Sequence, residues 1–309
     1  MSRSRSEVQA SAPGPEIAGR GREPLLAMEG LRVAFQSRGR LVRAVRGVEL
    51  HIAPGERVGI VGESGSGKTQ TALALLGLVR GEPGIVRGSL SIRGDHVFSE
   101  IERFCTVASE EPLRITKDVE GWRKHMERRM RPYRGAVLSM VFQEPQQSLS
   151  PYFSVFHQAQ ATMKRHQAGV TTAVVEAKAT RLLERMQFTN PSRILSLYPH
   201  ELSGGQAQRV AIMLALLPDP DLLIADEPTT ALDAVTSYKV LTLLDELIDE
   251  RQTALLIVSH DLGVIRKMAC RVCVMRHGLV VDACATDVLL DEGLDKRHPY
   301  TQLLVRAAA

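Results

Sequence analysis

Aromatic residues are scarce, 4% of 309 positions with a single Trp, so any core must be built mainly from aliphatic side chains. No long apolar run is present. The longest, Val210 to Leu217, falls far short of the ~20 residues that a membrane-spanning helix needs. The four cysteines, Cys105, Cys270, Cys273 and Cys284, are too few and too scattered for a disulfide scaffold and fit a reducing compartment. No large excess of one charge exists either: 39 Lys and Arg against 35 Asp and Glu leave +4, too little to indicate nucleic acid by itself. The first two dozen residues are rich in Ser, Arg, Pro, Gly and Glu and lack an apolar segment. A secretory signal is therefore not expected, and 1–24 read as a disordered tail.

What is there suffices for a folded domain, with 44% hydrophobic and 24% charged residues. The ordered part is expected to begin near Leu25. Leu31, Val33 and Phe35 alternate with polar or small residues, as do Val48, Leu50 and Ile52, which predicts half-exposed strands. A short apolar run, Arg57–Val61, ends in a Gly-rich loop and precedes a predicted helix from Lys68 to Leu78. Further strands are expected at Gly84–Ile92 and Ala136–Phe142, and Ser154–Leu197 shows helical spacing throughout. Strand and helix then alternate: helix Gly205–Leu217, strand Leu222–Ala225, helix Ser237–Arg251, strand Ala254–Ser259. A strand pair, Val272–Met275 and Leu279–Asp282, turns at His277-Gly278. Buried aliphatic strands alternating with helices predict an α/β fold with a mainly parallel sheet.

Between one such strand and helix stands Gly62-Glu63-Ser64-Gly65-Ser66-Gly67-Lys68-Thr69, which fits the P-loop pattern. Its glycines let backbone amides close around phosphate oxygens at a helix N-terminus. Lys68 can reach the β and γ phosphates, and the Thr69 hydroxyl can bind Mg²⁺. The run Leu222–Ala225 ends in Asp226-Glu227, and a buried parallel strand delivers its carboxyl end to the ligand crevice. Beside a P-loop, Asp226 is expected in the Mg²⁺ shell and Glu227 at an attacking water. Leu202-Ser203-Gly204-Gly205-Gln206 opens a helix and reads equally as a second anion site or as an ordinary N-cap. Cys270 and Cys273, taken to lie inside an apolar strand, read as packing residues rather than a redox or metal pair.

The P-loop, Gln143, Leu202–Gln206, Asp226-Glu227, Ala231-Leu232-Asp233 and His260 stand in the order seen in ATP-binding cassette (ABC) ATPases. The resemblance runs over 25–309. It implies a P-loop (RecA-like) core, an N-terminal antiparallel β subdomain, and an inserted helical subdomain at about 144–204. It also implies ATP and Mg²⁺ as ligands, with Gln143 touching metal and lytic water and His260 contacting the γ-phosphate and orienting Glu227. Phe35 resembles the aromatic that stacks on adenine, although a core Phe in the same stripe has the same spacing. Ser203, Gly204, Gly205 and Gln206 would face the nucleotide of an opposite subunit, and Asp233 would cross that interface.

Glu144-Pro145, Ser148–Pro151, Tyr198-Pro199-His200 and His298-Pro299-Tyr300-Thr301 resemble the ATPases of peptide and nickel importers. That implies a peripheral subunit on the cytoplasmic face of the inner membrane. Its partners would be a second ATPase, permease subunits and an extracytoplasmic solute-binding protein, with no nucleic acid. A non-transport ABC ATPase would be expected to carry long coiled coils or two cassettes, and a small-molecule P-loop kinase would not need the Ser-Gly-Gly-Gln stretch. The resemblance also marks 103–134 as a longer, basic insertion. From Lys117 to Arg134, seven basic residues face three acidic ones, and Val119, Trp122, Met126 and Met130 recur at helical spacing until Pro132. Two readings stay open: a helix packed on its own domain with a solvated basic face, or a contact with partner loops or anionic lipid.

Overall fold

The computed structural model describes residues 23–308 apart from 38, 80, 111–112, 231 and 291–293. Residues 1–22 of the expected tail, and Ala231, lie outside the described residues. The chain opens with β1 (Leu26–Ser37) and β2 (Arg40–Ile52), followed by β3 (Arg57–Val61) and α1 (Lys68–Leu75). Next come β4 (Pro83–Ile92), β5 (Asp95–Phe98), the hairpin β6 (Cys105–Glu110) and β7 (Leu113–Lys117), and α2 (Val119–Met130). After β8 (Leu138–Val141) a helical stretch holds α3 (Pro145–Ser148), α4 (Val155–His166), α5 (Thr172–Arg185) and α6 (Pro191–Ser196). The rest alternates: α7 (Gly204–Leu216), β9 (Leu222–Asp226), α8 (Ala234–Arg251), β10 (Ala254–Ser259), α9 (Leu262–Met268), β11 (Arg271–Arg276) and β12 (Leu279–Ala285). It closes with α10 (Thr286–Leu290) and α11 (Pro299–Ala308).

The central sheet has the order β12-β11-β3-β10-β9-β8. All its pairings are parallel except β11 with β12. A second sheet, β2-β1-β4-β5, is antiparallel. The fold is thus the expected α/β P-loop core with an N-terminal antiparallel sheet. Period-two alternation distributes the interior strands between two cores. Leu223, Ala225, Leu255 and Ile257 join the helices α4 to α9, whereas Leu222, Ile224, Leu256 and Val258 join α1 and the antiparallel sheet. The buried strands β9 and β10 are apolar up to their carboxyl ends, so their polar residues, Asp226 and Ser259, stand there.

Several boundaries differ from the sequence reading, each for a local reason. Helix α1 stops at Leu75, not Leu78, because Gly77 turns left-handed (φ 62°). There the Leu78 amide bonds back to Leu73 O at 2.9 Å, which closes the helix end. Helix α8 starts at Ala234 rather than Ser237, because Asp233 caps it by accepting from the Thr236 amide at 3.0 Å. The β5 strand, the β6–β7 hairpin and helices α9 to α11 were not foreseen. In the insertion, α2 buries Trp122, Met126 and Met130 against the antiparallel-sheet core and leaves Arg123, Arg128 and Arg131 exposed. One cysteine assignment needs correction. Cys273 is buried in β11, with burial pushing its thiol up to about 11, but Cys270 precedes that strand and is exposed.

Candidate nucleotide-binding site

The parallel strands β3, β9 and β10 end side by side, and the loops beyond their carboxyl ends form a cleft of about 570 Å³. Phe35, Ser64, Gly65, Gly67, Lys68, Thr69, Gln143, Glu227 and His260 line it. Residues from across the chain therefore converge on one space. Asp226 sits in an adjoining recess with Thr69 and Gln143. Phe35 is only partly buried near the end of β1 and borders the cleft.

The P-loop is held by tertiary contacts. The Gly278 amide, in the β11–β12 turn, donates to Ser66 O at 2.9 Å. A Cβ on Gly62 would stand 2.1 Å from Met275 O, so only glycine allows β11 this close. Gly67 precedes α1 in a left-handed conformation (φ 105°) and supplies no side-chain cap. The first amides of α1 thus reach the cleft with the helix's positive end. The Ser66 hydroxyl and Gln70 Oε1, nearby, are buried with no hydrogen-bond partner among the described residues.

Lys68, at 5% exposure, donates from Nζ to Gly62 O at 2.8 Å and to Glu63 O at 3.0 Å. Burial lowers the pKa of this ammonium, an effect opposed by the carboxylates of Glu227, Asp226 and Glu63. An ammonium has three donors, so one remains for a ligand. The Thr69 hydroxyl donates to Asp226 Oδ1 at 3.2 Å. Hydroxyl, carboxylate and amide oxygens grouped in this way suit Mg²⁺, which takes hard oxygen donors and leaves positions for phosphate. Among the described residues no cluster of His, Cys, Asp or Glu could hold a metal by itself.

Glu227 lies just past β9 with φ 47°, a backbone conformation that few non-glycine residues adopt. Its amide donates to Val258 O at 2.9 Å, which anchors that turn on β10. The carboxylate is gripped on both oxygens. Oε2 accepts from Gln143 Nε2 at 3.1 Å and from the Thr230 hydroxyl at 2.8 Å, and Oε1 lies 3.2 Å from His260 Nδ1. Sequence reading overlooked Thr230, three residues on from Glu227. It also missed Tyr300, whose hydroxyl accepts from the Glu63 amide at 2.8 Å. The only signal for Tyr300 was its place in the His-Pro-Tyr-Thr stretch.

Ser203, Gly204, Gly205, Gln206 and Asp233 do not line the cleft. The Ser203 hydroxyl accepts from the Gln206 amide at 3.4 Å, and Gln206 Oε1 accepts from the Ser203 amide at 2.9 Å. Asp233, fully exposed, also accepts from the Thr236 hydroxyl at 2.6 Å, and these Thr236 bonds lower its pKa.

Residues 45–230 match the family model described as ABC transporter. The chain belongs to the ABC transporter family. It is 38% identical over 284 residues to the glutathione import ATP-binding protein of Salmonella typhimurium, covering 92% of this chain but 42% of that protein. It therefore spans less than half the length of that ABC relative. A Brucella abortus protein named for peptide import ATP binding is 37% identical over 284 residues, covering 92% of this chain and 77% of that one. In fold, the chain is similar to the ATP-binding cassette MJ0796, solved as a dimer in a post-hydrolysis state with ADP and Pi. The TM-score is 0.65 at 24% identity, over 84% of this chain and 98% of that one.

Proposed function

We propose that this chain is the ATP-binding and ATP-hydrolysing subunit of an importer of peptides or a related small solute or metal chelate. The observation that carries the reading is the two-sided grip on Glu227 across the cleft from Lys68 and Thr69. In this reading Phe35 stacks on the adenine, the amides of Gly62 to Thr69 and Lys68 Nζ hold the phosphates, and Thr69, Asp226 and Gln143 hold Mg²⁺. Bound Mg²⁺ supplies charge neutralisation on the phosphate oxygens. Glu227 takes a proton from water as its oxygen bonds to the γ-phosphorus and the bond to the β-phosphate oxygen breaks. His260 and Gln143 keep the carboxylate aimed at that water.

One exposed feature supports a transport role. Tyr152 and Phe153, shortly after Gln143, are 83% and 56% exposed, which suits a docking face for a permease. A second ATPase subunit would bring its Ser203–Gln206 segment over this cleft, with Asp233 at the seam, and a solute-binding protein would deliver the cargo outside. The subunit would then sit peripherally on the cytoplasmic face of the inner membrane.

The test is Glu227→Gln, which keeps shape and loses the base. MgATP binding should persist while phosphate release slows by about 10²–10⁴-fold. Wild-type turnover in that variant would overturn the assignment of Glu227. Copurification with a polytopic membrane protein separates the importer from a non-transport ATPase.

A further inference from the structure

We propose that Tyr300, on the C-terminal helix α11, is a positioning residue for the P-loop: its hydroxyl fixes the Gly62–Glu63 peptide that holds Lys68, and thereby sets nucleotide affinity. This rests on the reading of the cleft as a nucleotide site. Gly62 C=O and Glu63 N–H belong to one peptide plane. Its carbonyl accepts from Lys68 Nζ at 2.8 Å, and its N–H donates to the Tyr300 hydroxyl at 2.8 Å. The plane is thus held from both sides and cannot rotate without breaking a bond at each end. An amide engaged through its N–H is also a better acceptor at its carbonyl, so the tyrosine strengthens the Lys68 contact at a distance.

The tyrosine is itself immobilised. Its ring is buried among the helices, and the Arg276 guanidinium stacks over it with its carbon 4.8 Å from the centroid. Arg276 Nε reaches within 4.0 Å of the Glu63 carboxylate, so the same two residues meet side chain and backbone of the loop. The start of α11 is fixed as well. The Tyr300 amide donates to His298 Nδ1 at 3.1 Å, and Asp282 of β12 accepts from the His298 amide at 3.0 Å and from Arg297 at 3.2 Å. A change in how α11 packs on β12 would therefore reach the phosphate loop through the Tyr300 hydroxyl and the Arg276 side chain stacked on its ring.

Tyr300→Phe keeps the ring and removes that hydroxyl. In the full chain the Kd and KM for MgATP should rise about three- to tenfold, which corresponds to the net worth of one hydrogen bond. The kcat and the melting temperature should stay near wild type, a split that a merely structural role would not produce. Arg276→Ala, outside the core, should shift Kd in the same direction by a smaller factor, and gives a second measurement should the first variant fold poorly. Lys68→Ala is the control. Wild-type MgATP affinity in Tyr300→Phe, with binding abolished in Lys68→Ala, would overturn the positioning role and leave the functional reading standing. Equal MgATP affinity in wild type and Lys68→Ala would instead remove the nucleotide reading and the positioning role with it.

Discussion

Helices α1 and α7 both begin at a glycine-containing turn, yet their N-termini are finished in opposite ways. At α1 the capping position is Gly67, which offers no side chain. At α7 Ser203 and Gln206 form a reciprocal capping box, so two of the N-terminal donors are satisfied within the same four residues. The first terminus lies in a cleft lined by Lys68, Glu227 and His260 and is braced by β11 and α11. The second is exposed, and Gly204 has no atom within 4 Å of where its Cβ would stand. One sequence device serves two ends. Where tertiary contacts shape the turn and leave amides open, an anion is needed to complete it. Where the turn closes on itself, Gly204 stays open to the outside, while Gly205 lies against Thr236 and Leu232.

The sharpest way to break that contrast is to add a methyl group at each turn. Gly62→Ala would drive a Cβ into Met275 O at 2.1 Å, so the loop or β11 must move. MgATP binding should fall by more than about tenfold with a lowered melting temperature, measured by calorimetry, since strain of this kind costs several kcal/mol. Binding unchanged from wild type would mean that the loop is not held as described.

Ser203→Arg tests the outward turn. ATP-driven dimerisation, followed by size-exclusion chromatography with light scattering, should be lost, while MgATP binding by the monomer is kept. Loss of monomer binding would instead place Ser203 in the chain's own site. A smaller effect concerns pH. In the proposed function MgATP binding draws on the charged form of Lys68, whose pKa burial lowers from 10.5. Affinity should therefore fall as pH rises towards that lowered value, earlier than for a solvated lysine. A titration up to about pH 11 reads this, and an affinity that begins to fall only above 10.5 would contradict it. The least effect is expected from Gly204→Ala, where the new methyl meets open space. Stability should stay within about 0.5 kcal/mol and monomer MgATP affinity should match wild type.

Much of this site is legible along the chain because its chemistry is carried by short, local patterns. The P-loop, the apolar run into Asp226-Glu227 and the run into His260 each sit where a strand ends, and a continuous apolar run that stops at polar residues makes such ends recognisable. Less legible were elements without periodicity. The β6–β7 hairpin is short: Leu113 and Ile115 alternate with Arg114 and Thr116 over only four residues, too brief a run to mark a strand by itself. Helix α9 has seven residues, too few for a helical repeat to show. Phe35 was ambiguous for a different reason. A strand pattern assigns a side chain to a face but not to a neighbour, and only the fold places Phe35 at the cleft.

By itself, the sequence determined the α/β class, the phosphate loop and the carboxylates at the end of β9, because each rests on patterns only a few residues long. Tertiary structure alone decided that Gln143 and His260 share one carboxylate, and that Tyr300 bonds to Glu63 across 237 positions. Local propensity and capping act over one or two turns of chain, whereas such contacts exist only after the parallel strands have packed and brought their carboxyl ends together.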